Sequence, residues 1–306
     1  MSENRDRMKV STALPWFLCV LLVFALLFLL VEQRGGQVAV YEATVRENEI
    51  LSTMRLNLLR AAEAEKSAVL AVTDEQSQRF ADQARIAALQ VDKARRELDP
   101  LIARDNSQRE TSRMGEFYRC WTESKKLDRL ILDLAVQNTN FHATNLALTK
   151  GARALSDLER NLTGLIDPNN APEGGNVRVV RLAYQAIVAG LKIHDLYTPH
   201  IEAETGEQMD KIEKEIKANQ EVLTNSLNGL GRSIQGGGMD AVKKARADYS
   251  ELARITQEIV DLSRKNTNIK SLKLSLGKKR LLTAQCDEIL SGFQELIRRK
   301  GSKATR

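Results

Sequence analysis

The sequence predicts an all-α fold, with an N-terminal transmembrane helix followed by two tandem antiparallel four-helix bundles. Three observations carry that prediction. The first is composition: Ala, Leu, Glu, Lys, Arg and Gln dominate a chain of 306 residues that holds only five prolines. Those side chains lose little freedom in a helix, whereas proline interrupts one. The second is an unbroken apolar run, LPWFLCVLLVFALLFLLV, at residues 14–31. The third is a repeat: Trp121 to Lys150 aligns without a gap with Tyr249 to Lys278, sharing Asp133/Asp261, Leu134/Leu262, Leu146/Leu274 and the triplet Asn-Thr-Asn. Agreement spread along that length marks an internal duplication.

Residues 14–31 make a helix of roughly 27 Å, close to the hydrocarbon thickness of a bilayer. A cleaved signal peptide is the alternative, but its apolar core is shorter and a small-residue cleavage site follows it. Arg5, Arg7 and Lys9 precede the run and only Arg34 closely follows it. The positive-inside bias therefore puts residues 1–13 in the cytoplasm as a stub and the rest of the chain outside, in the manner of a single-pass inner-membrane protein.

Downstream, apolar residues keep three-to-four spacing. Leu51, Met54, Leu58, Ala62, Val69 and Val72 form one stripe. Phe80, Ala84, Ala87, Val91, Ala94, Leu98 and Leu101 form a second, after a break at Thr73 and Asp74. The polar stretch Asp105 to Arg109 separates these from a third stripe, Phe117, Trp121, Leu127, Leu130, Ile131 and Leu134. Phe141, Leu146, Leu155, Leu158, Leu162 and Leu165 make the fourth. Four such stripes joined by short loops predict a bundle over 35–166. DPNNAPEGGN, at the head of a linker over 167–177, breaks every period. A second bundle is expected over 178–297, with helices starting near Val180, Glu207, Met239 and Asn268, and a basic tail at 298–306. TDEQ from Thr73 and TGEQ from Thr205 are weaker counterparts in the two copies.

The segments AEKSAVLAVTDEQSQRFADQAR from Ala64, FYRCW from Phe117, ILDLAVQNTN from Ile131 and NTNIKSLKLSLG from Asn266 resemble the four-helix-bundle sensor domain of methyl-accepting chemotaxis receptors and related sensor kinases. The resemblance covers 35–166 and, more loosely, 178–297. It implies a dimeric extracytoplasmic sensor whose helices pass motion through the membrane. This chain departs from the pattern, because it carries no second apolar run and no cytoplasmic signalling hairpin. The expectation is a sensor that binds a small molecule or a partner protein and passes its state laterally, as a homodimer or with a partner receptor. A structural scaffold of the cell envelope and an orphan receptor fragment are the alternatives.

Candidate ligand-binding residues are Arg55 and Arg60, which could grip a carboxylate, and the equivalent aromatics Trp121 and Tyr249, whose ordinary place is a core. Asn138, Thr139, Asn140, Asn266, Thr267 and Asn268 read as helix-boundary signals, with Asn140 and Asn268 as caps; the sharper reading has their amides facing a ligand or the other bundle. The helix could instead run on and break at Thr149 to Gly151 and Ser275 to Gly277. Glu65 reads as the edge of an apolar stripe, and Cys120 and Cys286 as separate buried thiols, with a disulfide between them the alternative in an oxidising compartment. His142, His194 and His200 lack metal-ligand spacing, so no metal is expected. Phosphate loops, nucleophile elbows and convergent Ser, His and acid sets are missing from the pattern, so neither enzyme activity nor a cofactor is expected. A net charge of +6 interleaved with acidic residues excludes a nucleic-acid footprint.

Overall fold

A computed structural model describes residues 6–166, 177–235 and 238–304. Every regular element among them is helical: α1 (Asp6–Leu70), α2 (Asp74–Asp105), α3 (Gln108–Ala135), α4 (Thr139–Leu146), α5 (Ala152–Thr163), α6 (Val177–Asp195), α7 (Tyr197–Glu202), α8 (Gly206–Ser233), α9 (Gly238–Lys265), α10 (Thr267–Leu274) and α11 (Arg280–Ala304). Turns of π-helix, Ala147–Gly151 and Ser275–Lys279, join α4 to α5 and α10 to α11. The expected breaks fall where the sequence placed them. Thr73 and Thr205 both start helices, each accepting a bond from the backbone N–H three residues on. Asn106, at φ 47°, turns the chain between α2 and α3.

Among the described residues, no helix is long and apolar enough to cross a membrane. The expected span at 14–31 lies within α1, but its side chains, apart from Leu21 and Leu22, lie outside the described residues. So does most of the expected linker, residues 167–176.

The chain forms two compact units, and their membership differs from the consecutive division 35–166 and 178–297. Unit 1 takes residues 1–62, 84–125 and 281–306; unit 2 takes 63–83 and 126–280. In unit 1, Leu51, Met54 and Leu58 of α1, Val91 and Leu98 of α2, Phe117 and Trp121 of α3, and Leu290, Phe293 and Ile297 of α11 share one core. In unit 2, α5, α6, α8 and α9 pack in a closed ring around Leu158, Ala186, Leu223, Leu227, Leu252 and Ile255. Each unit is thus a four-helix arrangement completed by the last helix of the other repeat. Periodicity shows which face of α5 or α11 is buried, and either face suits either set of partners.

Further corrections follow from packing. Val72 and Leu130, read as inward, are exposed. Cys120 and Cys286 are joined in a disulfide, with Cα atoms 5.8 Å apart, rather than standing as separate thiols. The residues expected as a basic tail after 297 continue α11 to Ala304. Gly301 is needed there: a Cβ would lie 2.8 Å from the Thr44 hydroxyl of α1.

Candidate functional site

The repeated triplets meet each other inside unit 2. Asn138 and Asn266 adopt the left-handed conformation, at φ 45° and 54°, which asparagine tolerates better than most residues. Each therefore ends one helix and begins the next, so the cap positions are Asn138 and Asn266 rather than Asn140 and Asn268. Neither caps its own helix with its side chain. Instead each new helix is capped by the other copy. The Thr139 N–H donates to Thr267 Oγ1 and the Thr267 N–H to Thr139 Oγ1, both at 3.2 Å. The Asn140 N–H donates to Asn268 Oδ1 at 3.2 Å, and the Asn268 N–H to Asn140 Oδ1 at 3.3 Å. The amides continue outward: Asn140 Nδ2 donates to Asn266 Oδ1 and the Ile201 carbonyl, Asn266 Nδ2 to the Ala203 carbonyl, and Asn268 Nδ2 to Asn138 Oδ1. Of the two sharper readings, this reciprocal pairing matches the one in which the amides of each copy face the other. Orphan N–H groups at a buried helix start need acceptors, and only two copies at a fixed offset can supply them to each other.

Substituting Asn140→Leu removes one acceptor and two amide donations from this buried network. It should destabilise the protein by about 2–3 kcal/mol in urea denaturation, whereas Asn145→Leu, on the exposed face of α4, should change little.

About two turns further on, the two sites diverge chemically. The π turns sit at matching places, and a π turn shifts the helical register by one residue. In the second copy this carries Lys279 inside, 2% exposed, with Nζ 3.0 Å from both carboxylate oxygens of Asp128. Glu65, 1% exposed, acts on the same group; both its oxygens lack a hydrogen bond in good geometry. Burial raises the pKa of Glu65 and of Asp128, and Lys279 opposes both shifts. Glu65 is thus buried rather than edging a stripe. At the matching site, Thr256 and Gly151 stand at the places of Asp128 and Lys279. There Tyr197 shares a 2.7 Å hydrogen bond with Thr256, and a Cβ on Gly151 would come within 3.3 Å of the Tyr197 ring. Burial pushes the Tyr197 phenol up to about 12, so this copy of the site is neutral.

A Ser-His-acid set also converges, contrary to expectation. His200 Nδ1 lies 2.5 Å from Ser263 Oγ and Nε2 lies 2.9 Å from Glu213, whose carboxyl Arg264 holds below its usual range. Ser263 and His200 are both 0% exposed, so no substrate reaches the hydroxyl. The set ties α7 to α8 and α9.

The other candidate residues are occupied within their own units. Arg55 does grip a carboxylate in bidentate fashion, but it is Asp287 of α11, at 2.9 and 3.1 Å. Trp121 is a core residue whose indole N–H donates to Asp92 at 2.8 Å. Tyr249, half-buried in unit 2, hydrogen-bonds the Gln220 carbonyl and the Thr224 hydroxyl. Arg60 is exposed. The structure therefore joins none of these four into a common site.

The feature that sequence reasoning missed is a cavity of about 1350 Å3 at one end of unit 1, reached by all four of its helices. Glu42 of α1, Arg104 and Asp105 of α2, Arg109 and Glu110 of α3 and Lys300 of α11 line it. Lys300 is paired with Asp105 and lies 3.2 Å from Glu110 and 3.5 Å from Glu47, which is 0% exposed. Burial opposes the Lys300 charge, but these carboxylates outweigh it and hold its pKa above the ordinary lysine value. Burial raises the Glu47 carboxyl from 4.5 to about 6, against the pull of Lys300. Folded Glu47 keeps a proton that the unfolded chain loses, so its contribution to stability is largest below pH 4.5. It should fall by about 1–2 kcal/mol as pH rises from 4.5 through 6. Urea midpoints in metal-free buffer should show this slope, and Glu47→Gln should flatten it.

No protein-family model matches the chain, and no curated protein matches it significantly. The fold and the cavity define it as an all-helical protein of two interleaved four-helix units.

Proposed function

We propose that this chain is a single-pass membrane protein whose helical units stand outside the cytoplasm, sense a ligand and pass the signal laterally to a partner. The observation that carries the reading is the unit 1 cavity, into which polar and charged groups from all four helices converge. A ligand there would touch α1 and α11 together, and a ligand that favours one arrangement of packed helices over another shifts their populations. The apolar run at 14–31 lies on the same helix, α1, that supplies Glu42 to the cavity, so a movement of α1 has a direct route to the bilayer. The Cys120–Cys286 disulfide supports an oxidising compartment. The resemblance to chemoreceptor sensor domains points the same way.

A scaffold reading has one observation in its favour. On α6, Val177, Tyr184, Val188 and Leu191 form an exposed apolar stripe beside Val222 of α8, the kind of seam that a partner protein covers. Thermal-shift screening of the full chain in detergent micelles separates the two. A sensor gains stability by RT ln(1 + [L]/Kd) with a particular metabolite. A flat response across amino acids, organic acids and aromatic compounds would favour the scaffold.

A further inference from the structure

Three carboxylates face one ammonium where Asp105, Glu110 and Lys300 line the unit 1 cavity, with Glu47 buried beside them. Glu47 of α1 is 0% exposed, Glu110 of α3 is 2% exposed, and Asp105 closes α2. One oxygen from each lies within 4.8 Å of the others. Both Glu47 oxygens are buried without a hydrogen bond; the nearest cation, Lys300, stays 3.5 Å away while it engages Asp105 and Glu110. A buried carboxylate in that state carries an unpaid desolvation cost, which a cation relieves.

We propose that Glu47, Asp105 and Glu110 form a binding site for a hard divalent cation, which displaces the Lys300 ammonium into the cavity. The ligand set is all oxygen, which suits magnesium, calcium or manganese and gives no preference for zinc or copper. Oxygens around calcium sit at about 2.3–2.6 Å, so two ligands on opposite sides are roughly 5 Å apart, and the carboxylate triangle already has that size. The cavity provides the entry path, space for coordinating waters, and room for Lys300, whose side chain is 25% exposed. Lys300 then acts as a built-in competitor that sets the concentration at which the ion enters. Cation binding here does not require the sensor reading, and either can fail without the other.

The test is isothermal titration of the full chain in micelles, stripped with EDTA and returned to chelator-free buffer, with magnesium, calcium and manganese chlorides. One site per chain is expected, with an affinity in the weak range of about 0.1–1 mM. Lys300→Met removes the competitor without touching a ligand and should tighten binding about tenfold. Asp105→Asn, at a partly exposed ligand, should weaken it about tenfold while leaving the circular dichroism spectrum unchanged. If neither the wild type nor Lys300→Met binds any of the three ions below about 10 mM, the site does not exist. Binding that Asp105→Asn leaves unaltered would place the ion elsewhere and overturn the proposal equally.

Discussion

Lys279→Met should destabilise the protein by about 3–5 kcal/mol, because it leaves Asp128 buried without its ion-pair partner, beside the buried Glu65 carboxyl. The effect is much larger than that of losing an exposed pair such as Arg160 and Asp157, which contributes about 0–1 kcal/mol. Two features make the prediction specific. Acid should rescue the variant, since protonating both carboxyls removes the uncompensated charge. The double variant Lys279→Met with Asp128→Leu should recover most of the loss, because replacing a buried pair by apolar groups is often neutral or stabilising. The matching site already contains the neutral solution, with Tyr197, Thr256 and Gly151 at the corresponding places. Urea denaturation at pH 5 and pH 7.5 on the three proteins measures all of this.

Reducing the Cys120–Cys286 bond, or replacing both cysteines by serine, should cost about 2–5 kcal/mol. The bond links α3 to α11 across 166 residues of sequence, so it ties the last helix of the chain into the core of unit 1. Loss of a long-range link enlarges the unfolded ensemble most, on the chain-entropy account. Thermal denaturation with and without dithiothreitol should show a lower midpoint in the reduced protein. Equal midpoints would mean that Phe293 and Ile297 hold α11 in place without help.

These two predictions rest on features that the sequence displays unequally. Helices, loops and most inward faces were legible, because apolar residues at three-to-four spacing leave little alternative to an amphipathic helix. The duplication was legible too, and its offset is the one at which Thr139 meets Thr267. What the pattern does not encode is partnership. The stripe Leu155, Leu158, Leu162 states that α5 is buried on one side, and says nothing about whether α3 or α9 lies against it. Lys279 was hidden for a different reason. It sits in the run Gly277-Lys-Lys-Arg, which reads as a solvated face until one extra residue in a π turn rotates it inward. The unit 1 cavity combines Glu42, Arg104, Glu110 and Lys300 from four distant segments, so no local motif announces it. Glu47 could have been suspected, since it lies on the same helical face as Ile50, Leu51, Met54 and Leu58.

Sidedness decides the function. Lateral signalling from a ligand outside the cell requires both units to stand on the far side of the bilayer from residues 1–13. Protease accessibility measures this directly when the full chain is expressed in a bacterial host. Protease added to intact spheroplasts should destroy the chain beyond residue 35 and leave only a short membrane-embedded fragment. Units that survive in spheroplasts and are cut only in inverted vesicles would lie in the cytoplasm, and extracytoplasmic sensing would then be wrong.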